Sequence, residues 1–285
     1  MIATAAIALA HACAVCAAAD PTVVGAGAEQ PYARRLRLDG EVLVGAVSEA
    51  APDGRLLTVS DLRSAVTAAA APSPDVLLSL AVPLLTRTLS DGGDRTTATV
   101  AGDLDARVYD LAWRDGPLPR VRLGIVGGVK LPTAPVQDDA RGAPLPVELQ
   151  PGCSAVVPYF GAALSLGRGF LTGRVDAALF LPFAVRSAPH AGDSLRAGAW
   201  VQAQPAEVLA ARVGARARLE STGELSTGVP DVDSGGLVGY VTSELLVRPS
   251  SDVVVSAGAA FPVVQAWLGV HRETAVASAD VAVDF

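Results

Sequence analysis

Arg212, Arg216 and Arg218 fall on even positions of one apolar segment, and Asp103, Asp105 and Arg107 on odd positions of another. Side chains two apart share a face on an extended backbone, so each set projects its charges into one space. Fixed charges of both signs in a common space either pair across it and fill it, or line a path whose transverse field orients a dipolar or charged solute. Both readings follow from the residue types. Catalysis has a thinner basis. Acyl hydrolysis needs a histidine within reach of a serine and an orienting amide or carboxylate. The chain has no asparagine, and beyond its N-terminal stretch its histidines are His190 and His271. Both are expected in outer loops as solvated side chains, with no G-x-S-x-G context beside them. Gly25-Ala26-Gly27 lacks the strand-to-helix setting of a nucleotide loop, and no Cys/His cluster has zinc spacing. The loop carboxylates Asp138, Asp139, Asp231 and Asp233 face either solvent or a divalent cation. No catalytic residue, metal site or cofactor is expected.

The elements that must carry these charges are strands. From Leu209 to Leu219 the odd positions are all Leu, Ala or Val, while Arg212, Arg216, Arg218 and Glu220 occupy even ones. Val121 to Leu131 repeats the pattern with Arg122 and Lys130, Leu171 to Leu181 with Arg174 and Asp176, and Ser194 to Gln204 with Arg196. A helix would scatter these charges around its axis. Turn residues divide the chain into about twelve such runs, 36–48, 56–69, 76–88, 95–112, 120–131, 154–166, 170–183, 194–204, 207–221, 237–248, 252–262 and 274–285. Runs of about ten or more residues suit a tilted strand crossing a bilayer, where soluble strands average roughly five or six. Connections after even-numbered runs are short and those after odd-numbered runs longer, notably 132–153, 184–193, 222–236 and 262–273. The expected fold is all-β, a single closed antiparallel transmembrane β-barrel with short periplasmic turns and longer outer loops. Lipid cannot hydrogen-bond a backbone, so the sheet closes on itself, with apolar side chains outward and the polar set inward. The candidate lumen-lining residues are Asp103, Asp105, Arg107, Arg122, Lys130, Arg174, Asp176, Arg196, Arg212, Arg216, Arg218, Glu220 and Glu244.

Composition agrees. The 285 residues are 51% hydrophobic and 18% charged, too apolar for disorder. A net charge of −7, with no basic run, argues against a nucleic-acid partner. Ala65 to Leu85, the best candidate for a spanning helix outside the N-terminus, is broken by Pro72, Pro74, Asp75 and Pro83. Residues 1–19 read as a signal peptide, with Ala17 and Ala19 placed for cleavage, residues 20–35 as an N-terminal periplasmic segment, and 36–285 as the barrel. Cys153 then stands alone, as an apolar packing residue beside a loop.

Two segments carry a resemblance. Ala101 to Tyr109 (AGDLDARVY) and Gly128 to Thr133 (GVKLPT) resemble a G-D-L strand ending in Tyr, and a following strand ending in K-L-P-T, of the outer-membrane β-barrel transporters associated with phenol meta-degradation. Gly102, Asp103, Leu104, Arg107 and Tyr109 match the first motif, and Lys130, Leu131, Pro132 and Thr133 the second; Ala134 stands where that family has glycine. The resemblance spans about residues 30 to 285. It implies a channel or transporter of the bacterial outer membrane for small, hydrophobic or aromatic solutes, with outer-membrane lipid and lipopolysaccharide as surroundings and no catalysis. The terminal aromatic Phe285 resembles the signal read by the barrel-assembly machinery. A plugged structural barrel and a lipid-acting outer-membrane enzyme are the rival readings.

Overall fold

The structure is a computed structural model that describes residues 36–50, 54–91, 93–115, 121–146, 149–185, 188–225 and 229–285. The expected signal peptide and the segment 20–35 lie outside the described residues. Fifteen strands follow in chain order: β1 (Leu36–Ala50), β2 (Leu56–Ala70), β3 (Val76–Asp91), β4 (Asp94–Ala101), β5 (Leu104–Arg114), β6 (Val121–Leu131), β7 (Ala155–Arg168), β8 (Leu171–Phe180), β9 (Phe183–Ala184), β10 (Ser194–Ala206), β11 (Leu209–Glu220), β12 (Gly236–Ser250), β13 (Val253–Trp267), β14 (His271–Glu273) and β15 (Val276–Asp284). No α-helix occurs among the described residues.

Every ladder is antiparallel, and β1 pairs with β2 on one edge and with β14 and β15 on the other, so the sheet closes. β4 and β5 form one stave of the wall, interrupted at Gly102 and Asp103, and both pair with β3. β14 and β15 form the last stave, interrupted at Thr274 and Ala275, and β9 only extends the β7 edge. The result is a barrel of 12 staves, and each expected run maps onto one of them.

Burial is inverted relative to a water-soluble protein. Leu38, Val42 and Val44 on β1, Leu78, Leu80, Val82 and Leu84 on β3, and Val241 and Leu245 on β12 are all exposed on the outer surface. Arg37, Asp61, Arg87, Arg174, Arg218 and Glu220 are buried inside. An apolar surface on this scale would aggregate in water, whereas hydrocarbon is its proper solvent.

Loop lengths depart from strict alternation in two places. β3 and β4 are separated only by Gly92 and Gly93, and β13 and β14 only by residues 268–270. Gly93 has φ +111°, a conformation a tight hairpin turn demands and an L side chain resists. The expected loop 262–273 shrinks because β13 continues past Pro262: the pairing Tyr240↔Pro262 is followed by Gly239↔Val264, so Val263 is an extra residue that forms a bulge. A bulge absorbs the missing N–H of proline, which a sequence reading takes as the end of a strand.

Two further expectations are corrected. His271 is not a solvated loop residue; it is buried on β14, with Nε2 3.2 Å from Glu273 Oε1 and Nδ1 3.5 Å from Glu49 Oε2. His190 is also largely covered and bridges Glu224 through the backbone. Both errors follow from loop assignments that ignored pairing within the loops. Trp113, Phe160, Phe183, Phe261 and Phe285 are exposed on the outer surface, but Trp267 lies inside, under the guanidinium of Arg218. Tyr32 falls outside the described residues.

Candidate functional site

Asp103, Asp105, Arg107, Arg122, Lys130, Arg174, Asp176, Arg196, Arg212, Arg216, Arg218, Glu220 and Glu244 all lie on the inward parity of their staves, opposite the lipid-facing set. Their signs are partly segregated: β3 mixes Arg87 with Asp91, and β5 with the break before it mixes Asp103 and Asp105 with Arg107, while the rest of the wall divides. β6, β8, β10 and β11 carry Arg122, Lys130, Arg174, Arg196, Arg212, Arg216 and Arg218, with Asp176 and Glu220 as the acidic residues among them. Across the barrel, β1, β2, β12, β14 and β15 carry Asp39, Glu41, Glu49, Asp61, Glu244, Glu273, Asp280 and Asp284 inward, against Arg37, Arg63 and Arg248.

Aromatic rings space the basic half. Arg212 lies 4.5 Å and Arg174 5.9 Å from the Trp200 ring, and Arg196 lies 4.0 Å and Lys130 5.7 Å from that of Phe180. A ring face attracts a cation through its quadrupole and replaces part of the lost water. The two halves meet where β11 faces β12: Arg212 donates to Glu244 at 2.8 Å and to Gln202 at 3.1 Å. Near the outer end, Arg218 pairs with Glu220 at 3.0 Å and also reaches Glu273, which His271 contacts in turn. Pairing and field therefore coexist: charges are tied to near neighbours, yet the sign still changes from one wall to the other.

The outer mouth is occupied by the segment between β6 and β7, and the two resemblance motifs hold it there. The interruption at Gly102 and Asp103 shifts the inward parity and turns Asp103 toward the lumen, where it is buried. Its carboxylate accepts the N–H of Ala134 at 3.1 Å and that of Cys153 at 2.6 Å. One side chain thus fixes both ends of the segment. Thr133 Oγ1 donates to the Gly102 carbonyl at 2.7 Å and accepts the Leu104 N–H at 3.0 Å, which locks the end of β6 to the break. Gly102 and Gly152 are needed for close approach: a Cβ on Gly102 would lie 2.8 Å from Leu85 Cδ1, and one on Gly152 would lie 2.4 Å from Asp103 Oδ1. Asp105, two residues on, accepts from Tyr159 Oη at 2.6 Å and from Arg107 at 2.5 Å. Cys153 is buried in the apolar cluster around Tyr109, Tyr159 and Phe180, the packing role expected of it.

Between its fixed ends the segment enters the mouth. Leu145 and Leu149 pack against Val47, Leu57 and Val59 of the inner wall. Gln150 accepts the Gln137 N–H and donates to the Gln137 and Leu145 carbonyls. Arg87 is the wall's main contact: it donates to both oxygens of Asp61, at 2.7 and 3.1 Å, to the Leu149 carbonyl at 2.6 Å and to Gln137 at 3.0 Å. Between segment and wall lies a pocket of about 120 Å³, lined by Val59, Arg87, Leu89, Thr96, Ala98, Gln137, Asp138, Asp139, Ala140 and Leu145.

At the rim Arg55 bridges Asp91 of the wall and Asp139 of the segment, the latter at 2.9 Å. That guanidinium holds the Asp139 carboxyl below its ordinary value of 3.8. A depressed carboxyl stabilises the folded contact above 3.8 and loses that contribution as pH falls through its lowered value. Asp139→Asn is therefore expected to increase trypsin cleavage after Arg141 at neutral pH. The wild-type rim should loosen toward the Asn variant in acid, monitored by a fluorophore on a cysteine at position 141. A difference that persists undiminished below pH 3.8 would contradict the assignment. Asp139 is committed to arginine, and no group of three or more acidic, His or Cys side chains suited to a metal occurs among the described residues.

Arg87, Asp61, Arg55, Gln137 and Gln150 were not among the candidates from sequence. Parity places Arg87 and Asp61 inward, but Arg87 sits next to the end of its expected run, where an inward position and a loop position read alike, and parity alone does not show that Asp61 would meet it. Gln137 and Gln150 belong to a segment with no periodicity, and nothing in their spacing marks them.

No known family profile matches the sequence, and no curated protein does. Solved structures do. An outer membrane channel from Pseudomonas putida F1 aligns with TM-score 0.70 at 13% identity, over 92% of this chain and 100% of that one. The translocator domain of the autotransporter NalP from Neisseria meningitidis aligns with TM-score 0.53 at 10% identity, over 95% and 93%. The transport unit of the autotransporter AIDA-I from Escherichia coli aligns with TM-score 0.51 at 9% identity, over 87% and 89%. At such identities the likeness is one of fold, and the fold is that of bacterial outer-membrane β-barrels.

Proposed function

We propose that the protein is a narrow channel of the bacterial outer membrane that passes small solutes along its charged lumen and catalyses nothing. The observation that carries this reading is the uneven distribution of charge around the inner wall, basic on β6, β8, β10 and β11 and acidic on β1, β2, β12, β14 and β15, a field with direction across the path. A barrel filled only for stability has no need to segregate its signs. The lumen-lining role falls to Asp103, Asp105, Arg107, Arg122, Lys130, Arg174, Asp176, Arg196, Arg212, Arg216, Arg218, Glu220 and Glu244. The likeness to a structure named an outer membrane channel supports the same reading. The motif resemblance suggests that the solutes are small and hydrophobic or aromatic. Lipid contacts the outer surface. Phe285 is exposed beside the first stave, exchanging backbone hydrogen bonds with Leu36, in a position the barrel-assembly machinery can read.

Single-channel recording in planar bilayers tests this. The wild type is expected to conduct in small steps, and Arg212→Ala/Arg216→Ala to shift selectivity toward cations, because loss of fixed positive charge favours cation passage. A silent bilayer would favour a plugged barrel, and silence combined with lipid hydrolysis would favour an enzyme.

A further inference from the structure

The outward face is apolar nearly everywhere except over one sector. Register aligns five outward side chains across neighbouring strands in a single row: Arg272 of β14 opposite Ser48 of β1, Ser48 opposite Thr58, Thr58 opposite Ser90, and Ser90 opposite Arg95 of β4. Beneath this row the hydroxyls continue on β3 and β4. Thr88 and Thr97 lie side by side with their hydroxyls 3.0 Å apart, and Thr86 and Thr99 with theirs 3.1 Å apart. The apolar belt begins at Val44 and Leu62, in register with Thr86, and at Leu84 one step further along the axis, all three exposed. This is a boundary between hydrocarbon and a polar layer, and it is local. Around the rest of the circumference apolar residues persist toward the outer ends, as with Phe160, Leu195, Phe261 and Val263, all exposed.

The chemistry of the row is specific. Five strands at about 4.8 Å spacing place Arg95 and Arg272 roughly 19 Å apart at the Cα level, with hydroxyls between them. Both arginines are exposed, and among the described residues neither has a carboxylate partner. Two cations bracketing a run of hydroxyls complement a saccharide that carries phosphates, since guanidinium pairs with phosphate and Ser/Thr with sugar hydroxyls. A glycerophospholipid headgroup, with one phosphate, would leave the hydroxyl rows unused. We propose that this sector, the outward face of β14 and β1–β4 just above the apolar belt, binds the phosphorylated saccharide headgroup of an outer-leaflet glycolipid. The inference rests on the outer-membrane reading above and adds the place of contact and the groups that make it.

The test uses the full chain, purified in detergent, with purified lipopolysaccharide as the probe. Dephosphorylated lipopolysaccharide and phosphatidylglycerol serve as comparisons. Wild type is expected to bind the phosphorylated form tightest, and Arg95→Ala/Arg272→Ala to lose roughly ten-fold or more in affinity. Thr86→Val/Thr97→Val, which keeps both charges, should lose less. Retention of heat-modifiable mobility shows that each variant still forms a barrel. Unchanged affinity in the double arginine variant overturns the proposal, as does equal binding of phosphatidylglycerol, which would reduce the sector to a general anionic surface. Cell fractionation separates the two levels: a wild-type chain absent from the outer membrane refutes the location itself, whereas correct location with unchanged affinity refutes only this site.

Discussion

Asp103→Ala will raise single-channel conductance and expose the segment between β6 and β7 to protease. The carboxylate accepts backbone N–H groups from Ala134 and Cys153, 31 and 50 residues along the chain, so its removal frees both ends of the inserted segment together. A hydrogen bond to a charged group contributes about 1.5–3 kcal/mol, so losing two costs about 3 kcal/mol or more, close to a hundred-fold shift toward a displaced segment. Arg87 and the Leu145 and Leu149 contacts remain, and the expected result is therefore intermittent opening with larger conductance steps. Thr133→Val removes a neutral clamp at one end only and should act in the same direction more weakly. Trypsin supplies an independent readout through the exposed Arg141. If Asp103→Ala keeps its heat-modifiable mobility while conductance and cleavage stay at wild-type levels, the segment is not held by this carboxylate.

This latch shows what was and was not legible in the sequence. The staves were readable because lipid outside and polar surface inside force a period of two, so each of Arg174, Arg196 and Arg218 had its direction fixed by its apolar neighbours. The segment 132–153 carries no such period. Its fold depends on Asp103 and Arg87, which are distant in sequence, and on glycines whose value lies in the space they leave. The G-D-L and K-L-P-T motifs pointed to the right place without showing why. Their residues meet because the break at Gly102 turns Asp103 inward next to Thr133, a pairing that exists only once β3, β5 and β6 are aligned. His271 failed for a related reason: a proline nine residues earlier looked like the end of a strand, and only the Val263 bulge lets the chain continue.

Closure of the barrel makes the second large prediction. β1 and β15 are joined at their periplasmic ends by Arg37 and Asp284, with Nε to Oδ1 at 2.7 Å and Nη2 to Oδ2 at 2.9 Å, and both side chains are buried. The two residues lie 247 apart in sequence, so this contact forms only when the last stave meets the first. Removing one partner of a buried ion pair strands the other charge, at a cost of about 3–5 kcal/mol. Asp284→Ala should therefore lower the urea midpoint for loss of heat-modifiable mobility and slow refolding into detergent. Replacing both residues, Arg37→Met with Asp284→Leu, removes the stranded charge and should recover most of the loss, because an apolar pair of similar volume is often neutral relative to a buried salt bridge. The singles Arg37→Met and Asp284→Leu together with this double form a cycle whose coupling term isolates the pair from general effects at the terminus. A coupling near zero, with both singles close to wild type, would mean that the backbone ladder from Arg37↔Asp284 to Val44↔Ala277 closes the barrel without help from these side chains.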